Sequence, residues 1–165
     1  MGDQELHEKV KELLDYDPET GVFVWRIARS KKKAGMHAGA VNKEGYERIR
    51  IDRKYYLSHR LAWFYTNGLW PLSTIDHINT IRSDNRIANL RVATHAQNLQ
   101  NRSGPTSASS TKLLGVSWHK ASKKWIAQIC LDQKKIYLGT YETQKEASEA
   151  YWSAKSLMHP FSIRR

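Results

Sequence analysis

Residues 74–102 read TIDHINTIRSDNRIANLRVATHAQNLQNR, and the rest of the chain is most simply understood around them. Residues 73–78 form a short apolar piece with strand character that carries Asp76 and His77. The polar stretch 79–86 follows and holds Asp84-Asn85, a dipeptide that tolerates tight turns. Residues 89–93 predict a second strand. Thr94 and Gln97 then stand at capping-box spacing, which predicts a helix N-terminus. Strand, loop, strand and helix make one small unit, and its Asp, His and Asn side chains are too numerous to be core filling. The expectation is a catalytic metal site.

The donor types suggest separate tasks. The Asp76 carboxylate and the Asn98 amide oxygen are hard ligands, suited to Mg²⁺ or a similar divalent ion that keeps waters and takes further ligands from substrate phosphate. Neighbours on a strand point to opposite faces, so His77 is better placed to act on a water than to share the ion with Asp76. An imidazole with an unperturbed pKa near 6.5 suits a general base at neutral pH. An ion beside a scissile phosphate would offset charge there. Together these parts could hydrolyse a phosphodiester. An Asp-His pair alone is a weak signal. Zinc is a poorer reading, with no cysteine nearby and only His95 as a further histidine.

DHIN followed by DNRIANLRVATHAQN resembles the HNH nuclease motif, in the branch where Asn replaces the last histidine. Upstream, YDPETGVFVWR, the Gly-Tyr of EGYERI, SHRLAW and the following Asn-Gly resemble the lead-in of phage and intron-associated HNH endonucleases. The resemblance spans roughly residues 10–102. It implies a ββα-metal fold for 73–102, with Asp76 and Asn98 as metal ligands, His77 as general base and Asn89 bracing the loop that positions His77. The cofactor it implies is Mg²⁺, with Mn²⁺ as an alternative. Arg86 and Arg91 are not motif letters, and we expect phosphate contacts from them.

Over 165 residues the net charge is +11, which points to an anionic partner. Residues 1–50 carry 10 basic and 9 acidic side chains, 51–110 carry 7 and 3, and 111–165 carry 10 and 4. The excess therefore lies over the Asp-His stretch and the C-terminal third. Six Trp and eight Tyr among the Lys and Arg favour nucleic acid over a merely solvated basic surface. The single Cys130 excludes an internal disulfide framework and a Cys-rich zinc site. No apolar run approaches the roughly 18 residues of a spanning helix. The charged opening MGDQELHEKVKELL predicts no secretory leader, and a cytoplasmic location is expected.

Before the organising stretch, residues 4–14 have helical spacing and 22–25 read as a strand after the turn at Asp17-Pro18. Residues 46–51 alternate with basic side chains outward, and 55–57 predict the hairpin partner. Ser30-Lys31-Lys32-Lys33 reads as a loop. Residues 58–67 turn helical, with Leu61, Phe64 and Tyr65 as core. His59 could help at the site, but a helix-face histidine making a structural hydrogen bond is the preferred reading.

Residues 102–111, RSGPTSASST, have linker composition. Beyond them, three short strands precede a helix with Thr143 as N-cap and an apolar face of Ala147, Ala150, Tyr151, Ala154, Leu157 and Met158. GVSWHK, KWIAQI and YLGTYETQKEASEAY resemble the AP2 DNA-binding domain across about 113–160. The shared letters are Gly115-Val116, Trp125, Ala127, Ile129, Leu138-Gly139-Thr140, Glu146-Ala147 and Ala150-Tyr151. The resemblance implies a sheet laid in the DNA major groove. Strand alternation would turn Ser117, His119, Gln128, Cys130, Lys135 and Tyr137 towards it, with Lys124 nearby. Several positions that are Arg in plant members are Ser, His or Cys here, so base preference does not carry over.

The chain is thus expected to be α+β: an HNH nuclease domain with N-terminal hairpin elements over 1–102, a linker at 103–112 and an AP2-like domain over 113–165. The expected function is metal-dependent cleavage of double-stranded DNA, resembling a homing endonuclease acting as a monomer or weak dimer with no membrane partner. The alternative is a non-catalytic DNA-binding regulator derived from a nuclease, and charge alone also leaves open an RNA-binding or RNA-cleaving protein.

Overall fold

The computed structural model describes residues 2–28, 32–102, 104–105 and 109–162. Part of the expected linker and of the lysine loop at 30–33 falls outside the described residues. The chain is α+β and divides into two units, Met1–Thr94 and His95–Arg165.

The first unit opens with helix α1, Asp3–Leu13, which buries Val10 and Leu13. It runs directly into β1, Leu14–Asp17, which pairs antiparallel with β2, Val22–Trp25. β1 was not foreseen, because Leu14-Asp15-Tyr16 continues a helical pattern and only its partner strand converts it. The Asp17 carboxylate closes the hairpin turn by accepting from Glu19 N at 2.9 Å and Thr20 Oγ1 at 2.8 Å.

A second sheet has the order β3, Ala40–Val41; β4, Glu47–Ile51; β5, Lys54–Leu57. Helix α2, Ser58–Asn67, follows and ends at Gly68 in the left-handed region. Strands β6, Thr74–His77, and β7, Leu90–Ala93, form an antiparallel pair. A 3-10 turn at Ile87–Asn89 leads into β7. One apolar core serves these elements, including Val10, Leu14, Phe23, Trp25, Ile49, Ile51, Leu61, Phe64, Ile75 and Leu90.

The β1–β2 hairpin buttresses the loop after His77. Tyr16 OH donates to Asn85 O at 2.7 Å, and Ile87 N donates to Pro18 O at 3.2 Å. Gly21 has φ +75°, and a Cβ there would meet Arg86 N at 2.4 Å. Only glycine permits this approach of one backbone to the other.

The second unit begins with α3, His95–Gln100. Strands β8, Val116–His119; β9, Lys124–Leu131; and β10, Lys134–Tyr141 form an antiparallel sheet in the order β10-β9-β8. Helix α4, Gln144–Met158, covers it and starts in a full capping box between Thr143 and Glu146. Val116, Ala127 and Ala147 are buried between sheet and helix. The expected apolar face of α4 needs one correction. Leu157 is exposed, whereas Ala147, Tyr151 and Lys155 are buried. These three are spaced by four residues and form one ridge, and Leu157 lies off its flank.

Candidate active site

Asp76 and His77 are both buried on β6, at 4% and 5% exposure. Their cross-strand partners differ: Asp76 faces Arg91, and His77 faces Leu90 of the core. Arg91 donates to Asp76 Oδ2 through Nε at 2.9 Å and Nη2 at 2.7 Å. Both donors converge on one oxygen of a carboxylate shielded from water, where a charged hydrogen bond is strong.

The loop after His77 is held by Asn89. Its Oδ1 accepts from Asn79 N at 3.0 Å, its Nδ2 donates to Asp84 O at 2.8 Å, and its backbone O accepts from Ile78 N at 2.8 Å. His77 O accepts from Thr80 N at 2.9 Å. Asp84 is held down to about 2, first by hydrogen bonding from Arg86 and then by Asn79. Arg86 forks both oxygens of Asp84, Nε donating to Oδ1 and Nη2 to Oδ2.

A chain of buried polar groups lies behind His77. Its Nε2 is 3.5 Å from Asn85 Oδ1. Asn85 is 1% exposed and donates through Nδ2 to Glu47 Oε2 at 3.1 Å. Glu47 Oε1 meets His37 Nε2 at 2.6 Å. An ionised carboxylate only accepts hydrogen bonds, so Glu47 fixes which end of the Asn85 amide faces it. The amide oxygen then faces His77. A proton on His77 Nε2 would then point at that oxygen.

Burial pushes the His77 pKa down, partly offset by Asn85, Asp76 and Asp84. At neutral pH the imidazole is therefore uncharged and able to accept a proton. His59 lies edge-on to His77, ring centroids 4.9 Å apart. Burial, then His77, then Arg60 push it down to about 3. Its Nδ1 is buried without a hydrogen-bond partner among the described residues. It packs edge-on against the His77 ring, with no hydrogen bond at Nδ1 among the described residues. Tyr46 completes the wall, 5.4 Å from His59 and 6.1 Å from His77.

The family model for HNH endonuclease matches residues 56–100. That segment runs from β5 through α3 and contains Asp76, His77, Asn89 and Asn98. The match supports an HNH nuclease domain, and with it nuclease activity and DNA as the partner. No solved structure matches the chain.

Of the residues singled out in the sequence, the first unit brings together Asp76, His77, Asn89 and Arg91, with Arg86 on the loop. Asn98 lies half-buried on α3 of the second unit. Among the described residues, no three His, Cys, Asp or Glu side chains cluster as a ligand set. An ion at Asp76 would therefore draw on amide oxygens, water and substrate phosphate. The hard oxygen chemistry of the Asp76 carboxylate fits such an ion. In the second unit, Ser117, Gln128, Cys130, Lys135 and Tyr137 share the sheet face opposite Ala127, with His119 and Lys124 paired at its end. Lys124 also forms an ion pair with Glu142 at 2.6 Å.

Glu47, Asn85, His37 and Tyr46 were missed in the sequence, and one of them left a signal. The alternation that turns Arg48 and Arg50 outward also places Glu47 inward with Ile49 and Ile51. A carboxylate on an apolar face needs a partner. Nothing local says that the partner is Asn85, 38 residues away.

Proposed function

We propose that the chain is a metal-dependent endonuclease that hydrolyses phosphodiester bonds in duplex DNA, as a homing endonuclease of the variant with Asn in the last motif position. The observation that carries this reading is the neutral, buried His77 beside Asp76. Its Nε2 side is held by Asn85, and its loop is clamped by Asn89. His77 takes a proton from water at Nδ1 while the water oxygen forms a bond to phosphorus. The bond to the 3′ oxygen breaks, and that oxygen gains a proton from solvent. The products carry a 5′-phosphate and a 3′-hydroxyl.

Asp76 and Asn98 would hold the ion, Mg²⁺ or Mn²⁺, which when bound offsets negative charge at the phosphate. Asn89 keeps the strand end and loop in register around His77. Arg86 and Arg91 serve the phosphate backbone. The second unit acts as an AP2-like module, presenting Ser117, His119, Lys124, Gln128, Lys135 and Tyr137 to the groove while α4 packs behind. β structure of this size can enter the major groove. The division of labour is a nuclease domain over 1–102 and a DNA-binding domain over 113–165, in a cytoplasmic protein that works as a monomer or weak dimer.

The test incubates supercoiled plasmid and a structured RNA with Mg²⁺, comparing wild type with His77→Ala. Plasmid cleavage that is lost in the variant is expected. Failure to cut either substrate across metal and salt conditions would leave the regulator reading in place. Cleavage undiminished in His77→Ala would show that another group is the base.

A further inference from the structure

The outer face of β4 carries a cluster that the proposed chemistry does not use. Arg48 and Arg50 project outward, alternating with buried Glu47, Ile49 and Ile51. Both guanidiniums lie over the ring of Tyr55 on β5, at 4.4 Å and 5.6 Å from its centroid. Arg50 and Tyr55 are direct cross-strand partners, and Tyr55 is 57% exposed. Among the described residues, neither arginine has a carboxylate partner. The acidic groups nearest in sequence are engaged elsewhere, Glu47 inward with Asn85 and His37, and Asp52 with Lys9. The hairpin tip adds exposed Arg53 and Lys54.

A free surface arginine loses side-chain entropy on binding. One already resting on an aromatic ring loses less, and the N–H groups along its edge still point outward. Two residues apart on a strand is about 7 Å, the scale of the step between neighbouring phosphates on a nucleic-acid strand. Arg48 and Arg50 both lie against the Tyr55 ring, so an unpaired base would compete with two guanidiniums for it. Single strands depend on such stacking, whereas a duplex offers its phosphates without it.

We propose that Arg48, Arg50 and Tyr55 form a phosphate clamp for the backbone of duplex DNA on the nuclease unit, additional to the contacts assigned to the second unit. The clamp rests on the reading of duplex DNA as substrate, and the experiment separates the two. Full-length protein is titrated with duplex DNA over a range of KCl, with chelator present so that the DNA stays whole. In R48Q/R50Q the slope of log affinity against log salt should fall by about 2, close to one unit for each lost phosphate contact. R48K/R50K should keep the slope. Tyr55→Leu should weaken binding and leave the slope intact, because the charges remain while their support is lost. Tyr55→Phe should behave as wild type. Should the glutamine pair fail to fold, R50Q alone should lower the slope by about 1.

Plasmid cleavage by the wild type with an unchanged slope in the glutamine variants overturns the clamp alone. A slope change seen on single-stranded DNA or RNA but not on duplex overturns its assignment to duplex. A slope change on duplex from a wild type that never cuts supports the clamp and overturns the nuclease reading.

Discussion

Glu47 sits among Ile49 and Ile51 on the inward face of β4, and its carboxylate is satisfied only through Asn85 and His37. Gly39 makes room for it, since a Cβ there would lie 2.4 Å from the Glu47 carboxyl group. If this chain of contacts sets the His77 tautomer, Glu47→Gln frees the Asn85 amide to turn over. We expect kcat to fall about 10–100-fold, the usual range for partners that orient a working side chain, with KM little changed. Nitrogen NMR of the His77 ring should then show a mixed tautomer, and a ring spectrum identical to wild type would refute the orienting role. Gly39→Ala should act in the same direction by displacing the carboxyl group. Arg91 supplies a second expectation at this scale. Its guanidinium is paired with Asp76 Oδ2, so an ion bound through that oxygen would compete with it. Arg91→Met should therefore raise Mn²⁺ affinity severalfold, read by titration calorimetry, and weaker binding would count against Asp76 as ligand.

At the level of elements, the loop between β6 and β7 is held by hydrogen bonds. Asn89 satisfies one backbone group near its start, Asn79 N, and one in its middle, Asp84 O. Asn89→Ala strands those groups, and each unsatisfied buried group costs about 1–3 kcal/mol. Thermal unfolding should report the loss, together with reduced cleavage. A variant as stable and as active as wild type would show that the clamp is dispensable. The capping box of α4 is easier to judge, because both of its residues lie within four positions. Thr143→Ala should cost about 1 kcal/mol.

Across the whole molecule, His59 and His77 couple stability to pH. The folded pKa of His59, about 3, lies below its ordinary 6.5. Between those values the unfolded chain binds more protons than the folded one. Stability is therefore full above pH 6.5 and declines as pH falls towards 3, by up to a few kcal/mol. His77 is shifted in the same direction. Denaturation followed from pH 8 to 4 should show this decline, and His59→Phe should flatten it. Net charge acts at the same scale. The excess of 27 basic over 16 acidic side chains should make all DNA binding strongly salt-dependent.

Local pattern sufficed for much of this protein. Alternation and helical spacing placed β2, β4, β5, α2 and the three strands and helix of the second unit, because each of these elements carries its own period. The same local reading found the Asp-His pair, the two Asn and the polar loop, since their spacing lies within 29 residues. What it could not reach were contacts between distant segments. β1 exists because β2 pairs with it, and Leu157 is exposed because the buried ridge of α4 runs through Lys155. Asn85 looked like a turn residue, and Glu47 like an ordinary strand position. Only folding brings Glu47, Asn85 and His77 into one buried line. There, removal from water makes each hydrogen bond obligatory.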